Sequence, residues 1–273
     1  MRLVLHIGAH RTGSTLVERM LSSLATARPD LGLTVWKPKY LRAIPGFKHI
    51  PNVVARAKRG DDAAELRCAT LRFDLAERME AAAAQGTKVL VLSEENMSGG
   101  MKPNLRDGQF YAGVRARLES YAHVLGRAPD RVALGIREYG AVWNSAYGYL
   151  QRGYNDLPPA DKAGRGLLEA RRGWPALASA AGQVWPTAEI LVWRQEDLAE
   201  NAERIAAKVG DVPEEHLQRP DEEDVNTTRA MGRPVQLFSP AERRKLKRRY
   251  DHHITRMRDE GRVTWAVTPE PAL

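Results

Sequence analysis

The chain has 273 residues, 43% of them hydrophobic and 28% charged, the balance of a globular protein long enough to bury a sizeable core in one α/β domain or two small ones. Its one cysteine, Cys68, excludes an intramolecular disulfide framework and leaves a cysteine-rich metal site without support. Lys and Arg outnumber Asp and Glu by 42 to 34, an excess that favours polyanionic partners such as nucleotides, nucleic acid or acidic saccharides.

The first predicted element is a buried strand, LVLHI (3–7), starting so close to the N-terminus that neither a cleaved leader nor an N-terminal anchor is expected. No apolar run approaches the roughly 18 residues of a membrane helix, so the expectation is a soluble, cytoplasmic protein with no membrane span. After the strand come a glycine turn, Gly8–Thr15, and a helix whose apolar stripe is Leu16, Met20, Leu21 and Leu24. KVLVL (88–92) is the next strand and empties into Ser93, Glu94, Glu95 and Asn96. A helical stripe through Phe110, Val114, Leu118, Tyr121 and Leu125 leads to the strand RVALGI (131–136), which ends on Arg137. A polar loop is expected over 153–166, then the strand EILVW (189–193) and Arg194–Asp197. Leu198, Ala202, Ile205 and Val209 mark the following helix; a second polar loop covers 210–234, and Leu246, Tyr250, Ile254 and Met257 mark the last helix.

Short strands without polar alternation are covered on both faces, and strands alternating with helices build a doubly wound parallel sheet. The expected fold is therefore α/β and three-layered, a central parallel sheet flanked by helices, with 1–273 as a single domain. Ligands in such sheets bind beyond the carboxyl ends of the strands. Four polar stretches fall there: Gly8–Thr15, Ser93–Asn96, Arg137 onward and Arg194–Asp197.

The first of these, G-A-H-R-T-G-S-T (8–15), matches the phosphate-loop spacing G-x-x-x-x-G-K-[ST] except that Ser14 stands where the lysine belongs. Gly8 allows a sharp turn, Gly13 allows close backbone approach to an anion, and the helix start supplies N–H groups and a favourable dipole. Arg11 supplies a cation within the loop. The alternative is a plain strand–turn–helix corner with Thr12 or Ser14 as N-cap. In the third stretch, Arg137 ends a strand and Ser145 follows about two helical turns later, a pairing able to clamp a phosphate.

A G-x-x-[RK]-[ST]-G-[ST]-T loop after the first strand, combined with R-x(7)-S after a later one, resembles the sulfotransferase family. That resemblance implies a P-loop NTPase-like sulfotransferase fold and 3′-phosphoadenosine 5′-phosphosulfate (PAPS) as donor, with adenosine 3′,5′-bisphosphate as product. It implies that His10, Arg11, Thr12, Gly13, Ser14 and Thr15 cradle the 5′-phosphosulfate while Arg137 and Ser145 hold the 3′-phosphate. RQEDL (194–198) looks like the family's R-x-E-D-L segment. The resemblance touches 3–24, 88–97, 131–150 and 189–210. The chain lacks the family's R-K-G…G-D-W-K loop; Arg229 or Arg233 of NTTRAMGRP (226–234) is the nearest substitute, and Leu16 stands where several members place a tryptophan.

Sulfuryl transfer needs a general base, a stabilised leaving oxygen and no obligatory metal, since the sulfonate carries less charge than a phosphoryl group. Arg11 is the expected stabiliser of the leaving group. One of Glu94 and Glu95 is expected to face the cleft as base, Glu95 preferred, with His10 as a lesser rival and His6 packed inside its strand. The acceptor, a small molecule or glycan bearing a hydroxyl or amine, is left open; Trp36, Tyr40, Tyr111, Tyr149, Tyr154 and Trp174 are aromatic candidates for stacking on it. The rival readings are a P-loop kinase with Glu94 or Glu95 ordering magnesium, a donor-binding protein without catalysis, and a nucleic-acid binder using ERRKLKRRYDHHITRMR (242–258). No stacking platform accompanies that basic helix, so nucleic acid is not the expected partner.

Overall fold

The computed structural model describes residues 1–220 and 235–269. The four expected strands form as β1 (Arg2–His6), β3 (Val89–Ser93), β4 (Arg131–Ile136) and β5 (Glu189–Arg194), joined by β2 (Leu33–Trp36) and the two-residue β6 (Thr264–Trp265). They make one six-stranded sheet in the order β2-β3-β1-β4-β5-β6. Every pairing is parallel. Central β1, β3 and β4 are buried almost throughout, as their continuous Val, Leu and Ile runs require.

The helices are α1 (Ser14–Ala27), α2 (Pro38–Ala43), α3 (Ile50–Ala57), α4 (Asp62–Ala84), α5 (Met101–Asp107) and α6 (Val114–Leu125). Then follow α7 (Tyr139–Leu150), α8 (Ala160–Glu169), α9 (Trp174–Val184), α10 (Leu198–Gly210) and α11 (Pro240–Asp259). Alternation along β1 sends Val4 to one face and Leu3 and Leu5 to the other. On the Val4 face α1 and α10 pack through Val17, Leu21, Ala202 and Ile205. On the opposite face Leu71, Leu118, Val142, Leu177 and Tyr250 bring in α4, α6, α7, α9 and α11. The result is three layers, helices on either side of a parallel sheet.

Local expectations differ in detail. In α1 the inward positions are Val17, Met20, Leu21 and Leu24, while Leu16 is only half-buried, because the helix begins at Ser14 and turns Val17 toward β1. Phe110 precedes α6 and is buried against Trp143 and Trp174 instead. The stretch expected as a loop over 153–166 contains the start of α8, whose Ala163 and Leu167 are buried. Arg229 and Arg233 lie outside the described residues. Among the described residues no helix is long and apolar enough to cross a membrane.

Gly135 in β4 is the tightest point between sheet and loop. A Cβ built there would lie 2.6 Å from the Thr12 hydroxyl and 2.8 Å from the Trp193 ring, below any normal contact. Gly135→Ala should therefore destabilise the fold by about 1–3 kcal/mol through overpacking, read as a lower urea midpoint at unchanged slope.

Candidate functional site

The polar stretches at the carboxyl ends of β1, β3, β4 and β5 meet in one cleft of about 1610 Å³. Its floor is the β1–α1 corner. Gly8 and Gly13 take φ of +69° and +86°, values that L-residues with a Cβ rarely adopt. Ala9 N–H donates to the Gly135 carbonyl at 3.3 Å, and the Thr12 and Ser14 hydroxyls both donate to the Ala9 carbonyl, at 2.6 and 3.2 Å. Those two hydroxyls hold the loop's shape instead of capping the helix. The N-cap position of α1 is Gly13, with no side-chain cap and no acidic residue in the first turn. A plain corner would have used Thr12 or Ser14 as the cap; here the opening N–H groups of α1 and its dipole face the cleft uncompensated.

Two arginines face the same space. Arg11, itself at φ +64°, donates Nε–H to Ser145 Oγ at 2.9 Å and lies 5.2 Å over the Tyr149 ring. Arg137 donates from Nη1 to the Arg11 carbonyl at 3.1 Å, and its buried Nε has no partner. Neither guanidinium has a carboxylate within 4 Å among the described residues. Desolvation lowers the pKa of both, and in Arg11 repulsion from Arg137 adds to it. Two adjacent, partly desolvated cations with spare donors have the chemistry to attract an anion. Arg11, Arg137 and Ser145 are thus brought together, and Gly13, Ser14 and Thr15 line the cleft with them. Thr12 is buried beneath the loop, and Ser145 is buried under Arg11.

The two adjacent glutamates face different ways. Glu94, 2% exposed, takes both oxygens to Arg42 at 2.6 Å and accepts the Asn96 N–H at 2.9 Å. Glu95 faces the cleft and packs its stem on Gly8; its backbone carbonyl accepts the Ser98 hydroxyl at 2.9 Å, while its carboxylate has no hydrogen bond among the described residues. Burial, with Glu18 and Glu94 nearby, pushes its carboxyl up to about 7. A carboxyl poised near neutral pH beside an anion site suits a general base. His10 is held to about 4 by burial and so is neutral; its Nε2 stands 3.3 Å from Asn96 Oδ1 and 3.8 Å from Glu95 Oε2. His6 is buried within β1.

Glu196 lines the cleft, but its oxygens accept the Glu138 N–H at 2.8 Å and the Tyr250 hydroxyl at 3.0 Å; Asp197 pairs with Arg194. Glu196 thus ties the start of α7 and α11 to the turn after β5. Of the aromatic candidates, Trp36, Tyr111 and Trp174 are buried, and Tyr40 pairs with Arg78 outside the cleft; only Tyr149 and Tyr154 line it. The pairing of Arg42 with Glu94 and of Tyr111 with His10 has no signal in the sequence, because these contacts close over 52 and 101 residues. Among the described residues no group of three or more His, Cys, Asp or Glu side chains is placed to hold a metal ion. No protein-family model matches the chain, and no curated protein or solved structure matches it either.

Because the folded-state pKa of Glu95 lies above its ordinary value of 4.5, its stabilising contribution is complete below about pH 4.5. It is lost as pH rises through about 7. Glu95→Gln removes that loss. At pH 8 the variant should be more stable than the wild type by up to about 3 kcal/mol, the gain disappearing near pH 4.5. Urea titrations at the two pH values measure it.

Proposed function

We propose that the cleft binds 3′-phosphoadenosine 5′-phosphosulfate and transfers its sulfuryl group to a hydroxyl or amine of an acceptor by in-line displacement, in a sulfotransferase-type fold. The observation that carries this reading is the pair of carboxylate-free arginines, Arg11 and Arg137, beside an uncapped helix start and across from Glu95. The orphaned Nε of Arg137 is a donor in want of a second anionic group, which a nucleotide phosphorylated at both the 5′ and 3′ positions offers and ATP does not. The residues present fit such a donor: the 10–15 loop at the phosphosulfate, Arg137 at the 3′-phosphate.

In this reading Glu95 removes the acceptor's proton as the acceptor oxygen or nitrogen bonds to sulfur. The bond from sulfur to the 5′-phosphate oxygen breaks, and adenosine 3′,5′-bisphosphate departs with the negative charge. Arg11 and the first amides of α1 stabilise that charge as it develops. Ser145 and Tyr149 hold the Arg11 guanidinium from α7, so Ser145 acts on the arginine as well as at the phosphate.

The direct test is thermal stabilisation by adenosine 3′,5′-bisphosphate without metal, compared with Mg-ATP. A shift with the bisphosphate supports the reading; a shift with Mg-ATP alone overturns it in favour of a kinase or NTPase. Arg137→Ala should weaken bisphosphate binding about 10–150-fold, the loss of charge-assisted hydrogen bonds worth roughly 1.5–3 kcal/mol, by calorimetric titration. Arg11→Ala should lower turnover of labelled sulfate transfer from the donor to a panel of glycan, lipid and phenolic acceptors more than it weakens bisphosphate binding.

A further inference from the structure

Glu95 has neighbours that sequence spacing does not connect. Tyr111, just before α6, is buried with φ of +47°, an unusual conformation for an aromatic residue. Its N–H donates to Asn104 Oδ1 at 3.1 Å. Its hydroxyl accepts the His10 backbone N–H at 3.3 Å and lies 3.3 Å from His10 Nδ1. On the far side of the imidazole, Nε2 faces two acceptors, Asn96 Oδ1 at 3.3 Å and Glu95 Oε2 at 3.8 Å. A neutral imidazole has one N–H. The group within hydrogen-bonding distance of Nε2 is the Asn96 Oδ1 acceptor, so that proton belongs there, and the Tyr111 hydroxyl, already accepting from the backbone, donates its own hydrogen to Nδ1. Asn96 is itself immobilised: its N–H donates to Glu94 Oε1 at 2.9 Å and its carbonyl accepts from Arg117 at 2.8 Å.

We infer that His10 and Tyr111 are positioning residues for Glu95. Tyr111 fixes the Nε2–H tautomer of His10, and that N–H passes from Asn96 Oδ1 to Glu95 Oε2 when Glu95 ionises, leaving Oε1 to take a proton from a bound hydroxyl. The inference rests on Glu95 as the base only for its last step; the tautomer and the donated hydrogen bond are properties of the protein alone. A neutral donor is the right partner for a base. It steadies the anion without the full charge that a second arginine would bring, which would draw the carboxyl down and weaken it as a proton acceptor. The other charged groups that act on Glu95 are Glu18 of α1 and Glu94, which raise its pKa, and Arg11 and Arg42 of α2, which lower it.

The test uses the full chain without substrate. Nitrogen-15 imidazole spectra of labelled protein, assigned by His10→Gln, should show His10 as the Nε2–H tautomer at neutral pH. Carbon-13 titration of the glutamate carboxyls, with Glu95 assigned through Glu95→Gln, should show its midpoint moving up by about one pH unit in His10→Leu. The midpoint should return toward the wild-type value in His10→Gln, whose amide N–H reaches a similar place. Tyr111→Phe should release the tautomer and move the midpoint the same way. A wild-type Nδ1–H tautomer, or a Glu95 midpoint unmoved in a folded His10→Leu variant, overturns the inference. Since no donor or acceptor is added, failure here is distinguishable from failure of the bisphosphate binding that tests the sulfotransferase reading.

Discussion

The geometry at the end of β1 depends on the absence of a side chain at Gly135. The loop leaving β1 must run across β4 before it can enter α1, and it does so by placing Thr12 where β4 carries no Cβ. With Ala9 hydrogen-bonded to the Gly135 carbonyl and Thr12 folded back on the Ala9 carbonyl, the next residue, Gly13, enters α1 against Leu198. That contact leaves no room for a Cβ and adds to its positive φ. Arg11, sitting between these fixed points, is turned toward α7 and the cleft. The shape of the cleft is therefore a consequence of packing: close approaches hold the backbone so that the start of α1 and Arg11 face the same volume.

Charge is distributed unevenly around that volume. Glu94 is buried, and its pairing with Arg42 through two hydrogen bonds is what makes its burial tolerable; removing the half-exposed Arg42 would strand a buried carboxylate. Glu95, one residue on, lacks such a partner and keeps a raised pKa. On the opposite wall Arg11 and Arg137 are also unpaired and repel each other. Two cations and one carboxyl without an ion-pair partner among the described residues therefore line one cleft. Such groups cost stability, and functional sites are where that cost is usually met.

The strands that build the central sheet were legible because β1, β3, β4 and β5 each carry an unbroken apolar run without polar alternation. β2 was not, since LTVW is short and only its ends are buried. Nor was β6, two residues long. α4 escaped notice although Cys68, Leu71, Leu75 and Met79 form an inward stripe; the exposed Leu66 and Phe73 blur its periodicity. At the site, the glycine spacing and R-x(7)-S were readable because a loop and one strand–helix unit are local. The choice between Glu94 and Glu95 was open in the sequence because it depends on Arg42, which claims Glu94 from a distant helix. The engagement of Ser145 by Arg11 is likewise a contact between elements 134 residues apart, and no spacing rule anticipates it.

The distance-spanning contacts also bear on how one cleft could hold the proposed polyanion beside Glu95. Negative charge brought beside Glu95 would drive its carboxyl further toward the protonated form, as Glu18 and Glu94 already do. Arg11 is placed to offset this, since it acts on Glu95 in the opposite sense and belongs to the loop proposed to meet the anion. A cation in that position would have two inseparable effects: it would neutralise a bound anion, and it keeps the neighbouring carboxyl able to ionise. A lysine at position 14 would carry its charge on a flexible stem from the helix's first residue. Arg11 instead has its Nε bound to Ser145 and its face against Tyr149, so its remaining N–H groups are aimed before any ligand arrives. Pre-organisation of that kind lowers the entropy lost on binding, so in the proposed reading arginine at 11 can take the place of a lysine at 14.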